Sequence, residues 1–289
     1  MSNLATGAGS PPYAEHRRPF PVGRVILLAL VIVTAAVTIA PFLWLLQMSF
    51  KQGIEMFTMP PKLLFVPTLQ NYTDLLEGKF MRSFSNSSVT AISTTLISLI
   101  LGVPAAYALS RAGFKRDKSI SLWILTTRMA PPIAFGLPFF LAYRNLDWID
   151  TLHGLVLIYL TFNLSLVIWM MRTFFDGLPR SLEEAAYIDG AGIVETFRSI
   201  TLPLSGPGLA TTAIFCFLFA WNDFFYALIL TRSSTMTAPV AIVNFMTYEG
   251  WEWGKIAAGG SLIMLPVVVF SLLVRKYLIR GLTAGAVKG

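Results

Sequence analysis

The sequence predicts an all-α polytopic membrane protein that crosses the bilayer six times and keeps both termini in the cytoplasm. Three observations carry that expectation. Of 289 residues, 55% are hydrophobic and 13% charged, against roughly 25% charged in an ordinary soluble domain. The charges are gathered between long apolar runs, and the basic ones fall unevenly between alternate loops. One cysteine, Cys216, excludes a disulfide framework. Two histidines, His16 and His153, lack neighbouring ligand types, so the reading includes no metal site. The net charge of +7 forms no patch of the kind nucleic acid requires.

A helix crossing the hydrocarbon core needs about 20 apolar residues at roughly 1.5 Å each. Before the first such run, residues 1–24 are polar and rich in Gly and Pro, the composition of a disordered cytoplasmic tail. Residues 25–289 are expected to form the six-span membrane domain. Val25 to Phe50, Ser83 to Ser110, Thr151 to Met171 and Ile256 to Val274 contain no Asp, Glu, Lys or Arg. Val25 to Phe50 is too long for a signal-peptide core and reads as an uncleaved first span. Ser119 to Tyr143 is interrupted once, by Arg128, and Ser199 to Thr231 once, by Asp223. Each remains long enough to span if its charge faces protein or water. Between the first two spans, Leu63 to Tyr72 reads as extended, and a short helix is expected over Asn71 to Leu76.

Lys and Arg accumulate in cytoplasmic loops. With the N-terminus inside, fourteen basic residues fall inside and seven outside, and four of those seven lie in the 32-residue loop Lys51 to Arg82. Both termini are therefore expected on the cytoplasmic side, with the lipid bilayer as the chain's surroundings.

The connector 172–203, between spans four and five, carries a dense pattern: Leu178-Pro-Arg-Ser-Leu-Glu-Glu-Ala-Ala-Tyr-Ile-Asp-Gly190. Ser181 and Glu184 have the spacing of a capping box at a helix start. Gly190 supplies the left-handed residue that closes the helix, after Asp189. A second short helix follows over about Ile193 to Ile200, with Pro203 opening the next span.

Glu184-Ala185-Ala186, then Gly190, Ile200 and Leu202-Pro203 at their observed spacing, resemble the EAA loop of ABC-importer permeases. Arg128-Met-Ala-Pro-Pro132 with Leu137-Pro138, and Trp221-Asn222-Asp223-Phe224, resemble the MalG-type branch that serves carbohydrates and polyols. Asp223 stands where Glu is frequent in that branch. The resemblance implies the type I importer permease (MetI-like) fold. It further implies partners: a dimer of ABC ATPase subunits, a second MalF-like permease, and an extracytoplasmic binding protein that delivers a sugar or polyol. On this resemblance Glu184, Ala185, Ala186, Asp189, Gly190, Ile200, Leu202 and Pro203 form the ATPase-coupling surface. The small Ala residues permit close docking, Gly190 shapes the corner, and Glu184 caps the helix or contacts the ATPase.

The chain itself shows no nucleotide site. Gly250-Trp-Glu-Trp-Gly254-Lys255-Ile256 has one residue too few between its glycines and ends in Ile, so it is no P-loop. ATP and Mg therefore belong to the partner ATPase, and no cofactor is expected on this chain. The alternative is a secondary transporter or channel of six spans, which needs no ATPase; proton- or sodium-coupled carriers commonly use membrane-buried carboxylates, and only Asp223 is available. A membrane enzyme needs paired catalytic groups, and none is visible at membrane depth.

Arg128, Asn222 and Asp223 are candidates for the translocation path, weighed against purely structural roles. For Arg128 the alternative is a charge held by carbonyls freed near Pro131 and Pro132. For Trp221, Asn222 and Asp223 it is interfacial anchoring with helix-packing hydrogen bonds. On straight helices Arg128 lies roughly 14 Å and Asp223 roughly 29 Å from the cytoplasmic end, which disfavours direct pairing. Trp251 and Trp253 read as interface-belt or sugar-stacking aromatics. Gly102, Pro104 and Gly259-Gly260 read as close-packing positions, and Cys216 as a small buried hydrophobe.

Overall fold

A computed structural model describes residues 22–113, 115–247 and 250–286. Residues 1–21 of the expected tail, Glu249 and Lys288 lie outside the described residues. The tail boundary moves, because α1 (Val22–Ser49) already includes Val22 to Arg24. The chain divides into two units between Trp44 and Leu45. In the first, α1 shows apolar side chains on every face, with Val25, Ile32 and Val37 55%, 58% and 70% exposed. A helix apolar all round requires lipid or a partner rather than water.

The second unit starts with the last turn of α1. A 3-10 turn, Gly53–Phe57, and α2 (Gln70–Glu77) follow, the latter where a short helix was expected. The Asn71 amide donates to the carbonyls of Ser49 and Lys51 at 2.9 and 3.0 Å, which pins α2 to that turn. Then come α3 (Phe80–Arg111), α4 (Asp117–Met129), α5 (Pro132–Asn145) and α6 (Leu152–Asp176). After them stand α7 (Ser181–Ile188), α8 (Ile193–Thr196), a π-helical turn Phe197–Thr201 and α9 (Leu202–Leu204). The chain continues through α10 (Gly206–Trp221), α11 (Phe225–Leu230), α12 (Ala238–Ala241) and a 3-10 turn, Ile242–Phe245. A two-rung antiparallel hairpin, β1 (Met246–Thr247) with β2 (Gly250–Trp251), leads into α13 (Trp253–Ala286).

By length and composition α1, α3, α6 and α13 each suffice to cross a membrane, and two bent pairs pass the same test. Counting each bent pair as one crossing gives six, the expected number. The bends correct the expectation of continuous helices. Between α4 and α5 the axis turns 85°. Pro131 and Pro132 supply no amide hydrogen and hold Ala130 extended, so the helical ladder cannot pass. The second pair bends 78° at Ser205, ahead of Gly206-Pro207. Pro203 therefore lies inside α9 and does not open the longer helix. The run Ser199 to Thr231 is divided again after Trp221, where residues 222–224 leave the helix before α11 begins.

Helices α3 and α6 form the central pair. Along α3 the buried side chains are mainly small, among them Ser83, Ser87, Thr94, Ser98, Gly102 and Ala106, at spacings that keep one face. A Cβ on Gly102 would meet Val167 at 2.7 Å, so that glycine sets the helix separation. Cys216 and Met171, both fully buried, join Val103, Tyr107 and Phe175 in one apolar cluster. Tyr159, Trp221, Tyr226 and Leu230 anchor another.

Away from these clusters, Asp150 ties two loops together. Its backbone takes φ of 56°, and its carboxylate accepts from the amides of Arg232, Ser234 and Thr235 and from the Thr235 hydroxyl. Burial alone would raise its pKa, but these donors outweigh that and hold the carboxyl below the usual range.

Candidate functional site

The chain turns sharply between α7 and α8. Gly190 takes φ of 89° at the corner, as expected, and its amide donates to Tyr187 O while the Ala191 amide reaches Ala186 O. Around it Ile188, Val194 and Ile193 are 86%, 69% and 68% exposed. A groove of about 510 Å³ runs between the two short helices, lined by Leu182, Ala185, Ala186, Asp189, Gly190 and Ile200 among others. Five of the eight expected coupling residues thus meet in one concavity. Glu184 and Pro203 stand exposed outside its lining, and Leu202 packs against the Phe175 cluster.

Two local expectations are corrected. The capping box does not form, because α7 begins one residue early, with Arg180 at the N-cap and Ser181 already inside the helix. The Glu183 and Glu184 amides find the Arg180 carbonyl instead. Ala186 is 7% exposed where it lines the groove, so of the two alanines expected to be open to close approach only Ala185 stands exposed.

Sequence reasoning missed Glu183. It is 5% exposed and takes both carboxylate oxygens to Arg111 Nε, at 3.0 and 2.9 Å. The available signal was the adjacent acidic pair on α7: Glu183 lies three residues before Ala186 and shares its inward face, while Glu184 points outward.

A second concavity, about 680 Å³, opens where α4 bends into α5 and α10 breaks into α11. Its lining includes Arg128, Phe135, Phe139, Thr161, Phe162, Phe219, Asn222, Asp223 and Tyr226. The Arg128 guanidinium lies 4.3 Å from the Phe219 ring centroid, and its Nη1 donates to Phe162 O at 3.4 Å. That carbonyl belongs to α6, not to the proline break. Tyr159 OH donates to Asp223 Oδ1 at 2.8 Å, and the same oxygen accepts from the Ala227 amide, capping α11. Arg128 and Asp223 form no ion pair among the described residues, as expected. They nevertheless line one cavity.

Trp221 is an internal strut and not an interfacial anchor. It is 1% exposed, and its Nε1 donates to Ile263 O at 3.0 Å, joining α10 to α13. The Asn222 amide returns to Leu218 O. Trp251 and Trp253 pack against each other with centroids 4.8 Å apart. No cluster of metal-ligand residues occurs among the described residues.

Comparison with known proteins places this architecture. Residues 98–283 match the family described as "binding-protein-dependent transport system inner membrane component". The trehalose/maltose transport system permease protein MalG of Thermococcus litoralis is 35% identical over 92% of this chain and 97% of its own length. The trehalose transport system permease protein SugB of Mycobacterium tuberculosis is 39% identical over 86% and 92%. In fold, the chain resembles a solved bacterial ABC transporter involved in import of the acidic polysaccharide alginate, with a TM-score of 0.75, 24% identity and coverage of 93% and 99%. The six crossings, the MetI-like helical fold and these relatives agree: the chain belongs to the family of binding-protein-dependent inner-membrane permeases, the non-enzymatic membrane subunits of ABC importers.

Proposed function

We propose that this chain, paired with a second MalF-like permease, moves a sugar or polyol across the plasma membrane and takes its energy from a dimer of ABC ATPase subunits docked at the Gly190 corner. The observation that carries the coupling reading is the exposed apolar knob of Ile188, Ile193 and Val194 around a left-handed glycine. Large apolar side chains so exposed mark a protein interface. Its position in the loop expected to be cytoplasmic puts that interface where ATP is available, and Ala185 leaves room for a partner helix. ATP and Mg bind the partner, and both termini of this chain lie on the same side as the knob.

The solute reading rests on the cavity beside Arg128. Aromatic faces at Phe139, Phe162 and Tyr226 stack against the C–H faces of a sugar ring, while Asn222, Asp223, Thr161 and Arg128 offer partners for its hydroxyls. The transport-system names of the relatives point to the same class of solute. An extracytoplasmic binding protein delivers that solute at the far end of the spans.

The test is purification of a tagged chain from its native host in mild detergent. An ATPase and a second permease should co-purify, and the complex should hydrolyse ATP. Reconstituted with its binding protein, it should take up trehalose, maltose or a polyol from a labelled panel. Isolation as a lone chain with ion-driven uptake would overturn the reading.

A further inference from the structure

We propose that the buried Arg111–Glu183–Thr201 constellation is the strut through which movement of the Gly190 corner reaches the central span α3, which makes Glu183 a positioning residue for transport. The inference rests on the coupling reading of the corner and deepens it.

The geometry joins four elements around one ion pair: α7, α3 and the π turn at the Glu183 carboxylate, and the end of α6 at the Arg111 guanidinium. Glu183 stands on the inward face of α7, and Arg111 is the last residue of α3. Arg111 shares its single Nε–H between both Glu183 oxygens, with both side chains at most 10% exposed. Glu183 Oε1 also accepts from the Thr201 hydroxyl at 2.9 Å. Thr201 closes the π-helical turn, whose wider winding is the kind of interruption found at functional positions. Arg111 Nη2 donates to Phe175 O at 2.8 Å, in the last turn of α6, and to Leu178 O at 3.4 Å, just past its end. Tyr107, one turn before Arg111, packs its ring against Phe175 and Phe197 at 5.7 and 4.8 Å.

Such a junction transmits displacement because it cannot slip cheaply. Separating α7 from Arg111 leaves a buried carboxylate and a buried guanidinium without their opposite charge, whereas moving the corner, α3 and the π turn together keeps the pair intact. Ile188 of the exposed knob and Glu183 of the buried strut stand on opposed faces of the same two-turn helix, α7. A force on one is therefore delivered to α3, which packs along α6 through its small-residue face.

The test uses the complete complex in lipid nanodiscs, with spin labels at the exposed positions Leu96 on α3 and Val268 on α13 and a non-hydrolysable ATP analogue as the probe. Co-purification of the ATPase reports docking separately. The wild-type complex should change its label distance on nucleotide binding. In Glu183→Gln and Thr201→Val the ATPase should remain bound, while the equilibrium between the two distances moves roughly 5- to 150-fold back toward the nucleotide-free state. Thr201→Ser, which keeps the hydroxyl, should behave as wild type, a rescue that a mere packing role would not give. The proposal is overturned if both variants shift like wild type, if they lose the ATPase along with the shift, or if wild type holds the ATPase and does not move. A wild-type chain that binds no ATPase instead defeats the coupling reading itself. If Glu183→Gln fails to assemble, the Thr201→Val and Thr201→Ser pair decides the question.

Discussion

The corner at Gly190 and the cavity beside Arg128 are built by opposite means. The corner is local. Its two short helices, its left-handed glycine and its exposed apolar residues fall within residues 181–201, and its shape comes from neighbours in the chain. The cavity is assembled from α4, α5, α6, α10 and α11, and it exists because two helices break where continuous ones were expected. A local device can move as a unit on its anchor. A cavity shared among broken helices changes shape whenever they shift. That difference suits the corner to receive force and the cavity to respond to it.

The comparison breaks most directly at Gly190. A β-branched residue there must adopt φ of 89°, a conformation that costs an L side chain roughly 1–2 kcal/mol. Gly190→Val should therefore open the corner and lower sugar uptake and ATPase stimulation at least about tenfold, while membrane insertion and the cavity survive. Uptake in vesicles with insertion checked by protease protection measures both. Wild-type uptake would mean that the corner is an ordinary connector.

The complementary break is Asp223→Ala. It strands the fully buried Tyr159 hydroxyl and uncaps α11, at a cost of about 1–3 kcal/mol. Uptake should fall by roughly tenfold, with ATPase co-purification at the wild-type level. Loss of the ATPase from this variant would erase the distinction between the two regions. Asp223→Asn, which still accepts from Tyr159, should retain more uptake than Asp223→Ala.

How legible each region was in the sequence follows from how it is built. The corner was readable because spacing along the chain is its geometry: Gly190, Asp189 and the helix that begins at Ile193 all stand where the sequence placed them. Even there the residue facing inward was not visible. Glu183 is recognised only when the end of α3, some seventy residues away in sequence, arrives beside it. The six apolar runs were readable because bilayer thickness dictates their length. Their breaks were not, since proline alone does not decide them: the Pro131-Pro132 pair ends α4, whereas the single Pro104 and Pro266 sit within unbroken helices. Tyr159, the partner of Asp223, carried no signal. An aromatic residue in an apolar run has no sequence neighbour to announce a hydrogen bond across the bundle.

A smaller effect should sharpen the picture on the corner side. Glu184 is exposed and beside the groove, not within it. Glu184→Lys should weaken ATPase docking severalfold through charge alone, an effect that shrinks with added salt because exposed charges are screened. It should leave the spin-label response of the ATPase-bound fraction unchanged, in contrast to substitutions at Glu183. A titration of ATPase against detergent-solubilised complex at two salt concentrations distinguishes the cases. Identical affinity at both would place Glu184 outside the interface.

The smallest effect belongs to the cavity side and concerns what holds its outer wall. Asp150 fastens the segment after α11 to the turn before α6, through three backbone amides and one hydroxyl. Its carboxyl titrates below the usual range, so the stabilisation is complete above the unfolded value of about 3.9 and fades as pH falls through the lower folded value. Thermal stability in detergent should therefore be insensitive to this group from neutral pH down to about 5, and should decline below about pH 4. Asp150→Asn preserves the left-handed backbone, which Asn tolerates, and removes the charge together with the oxygen that accepts from the Ser234 amide. It should lower stability by about 1 kcal/mol at pH 7 and remove this group's share of the acid decline. Because the segment it holds follows directly on the helix of Tyr226, the variant should also raise the half-saturating sugar concentration slightly, with docking at Gly190 untouched. A variant equally stable at neutral pH would show that the four donors are satisfied as well by water, and that the cavity's outer wall is held by α11 packing alone.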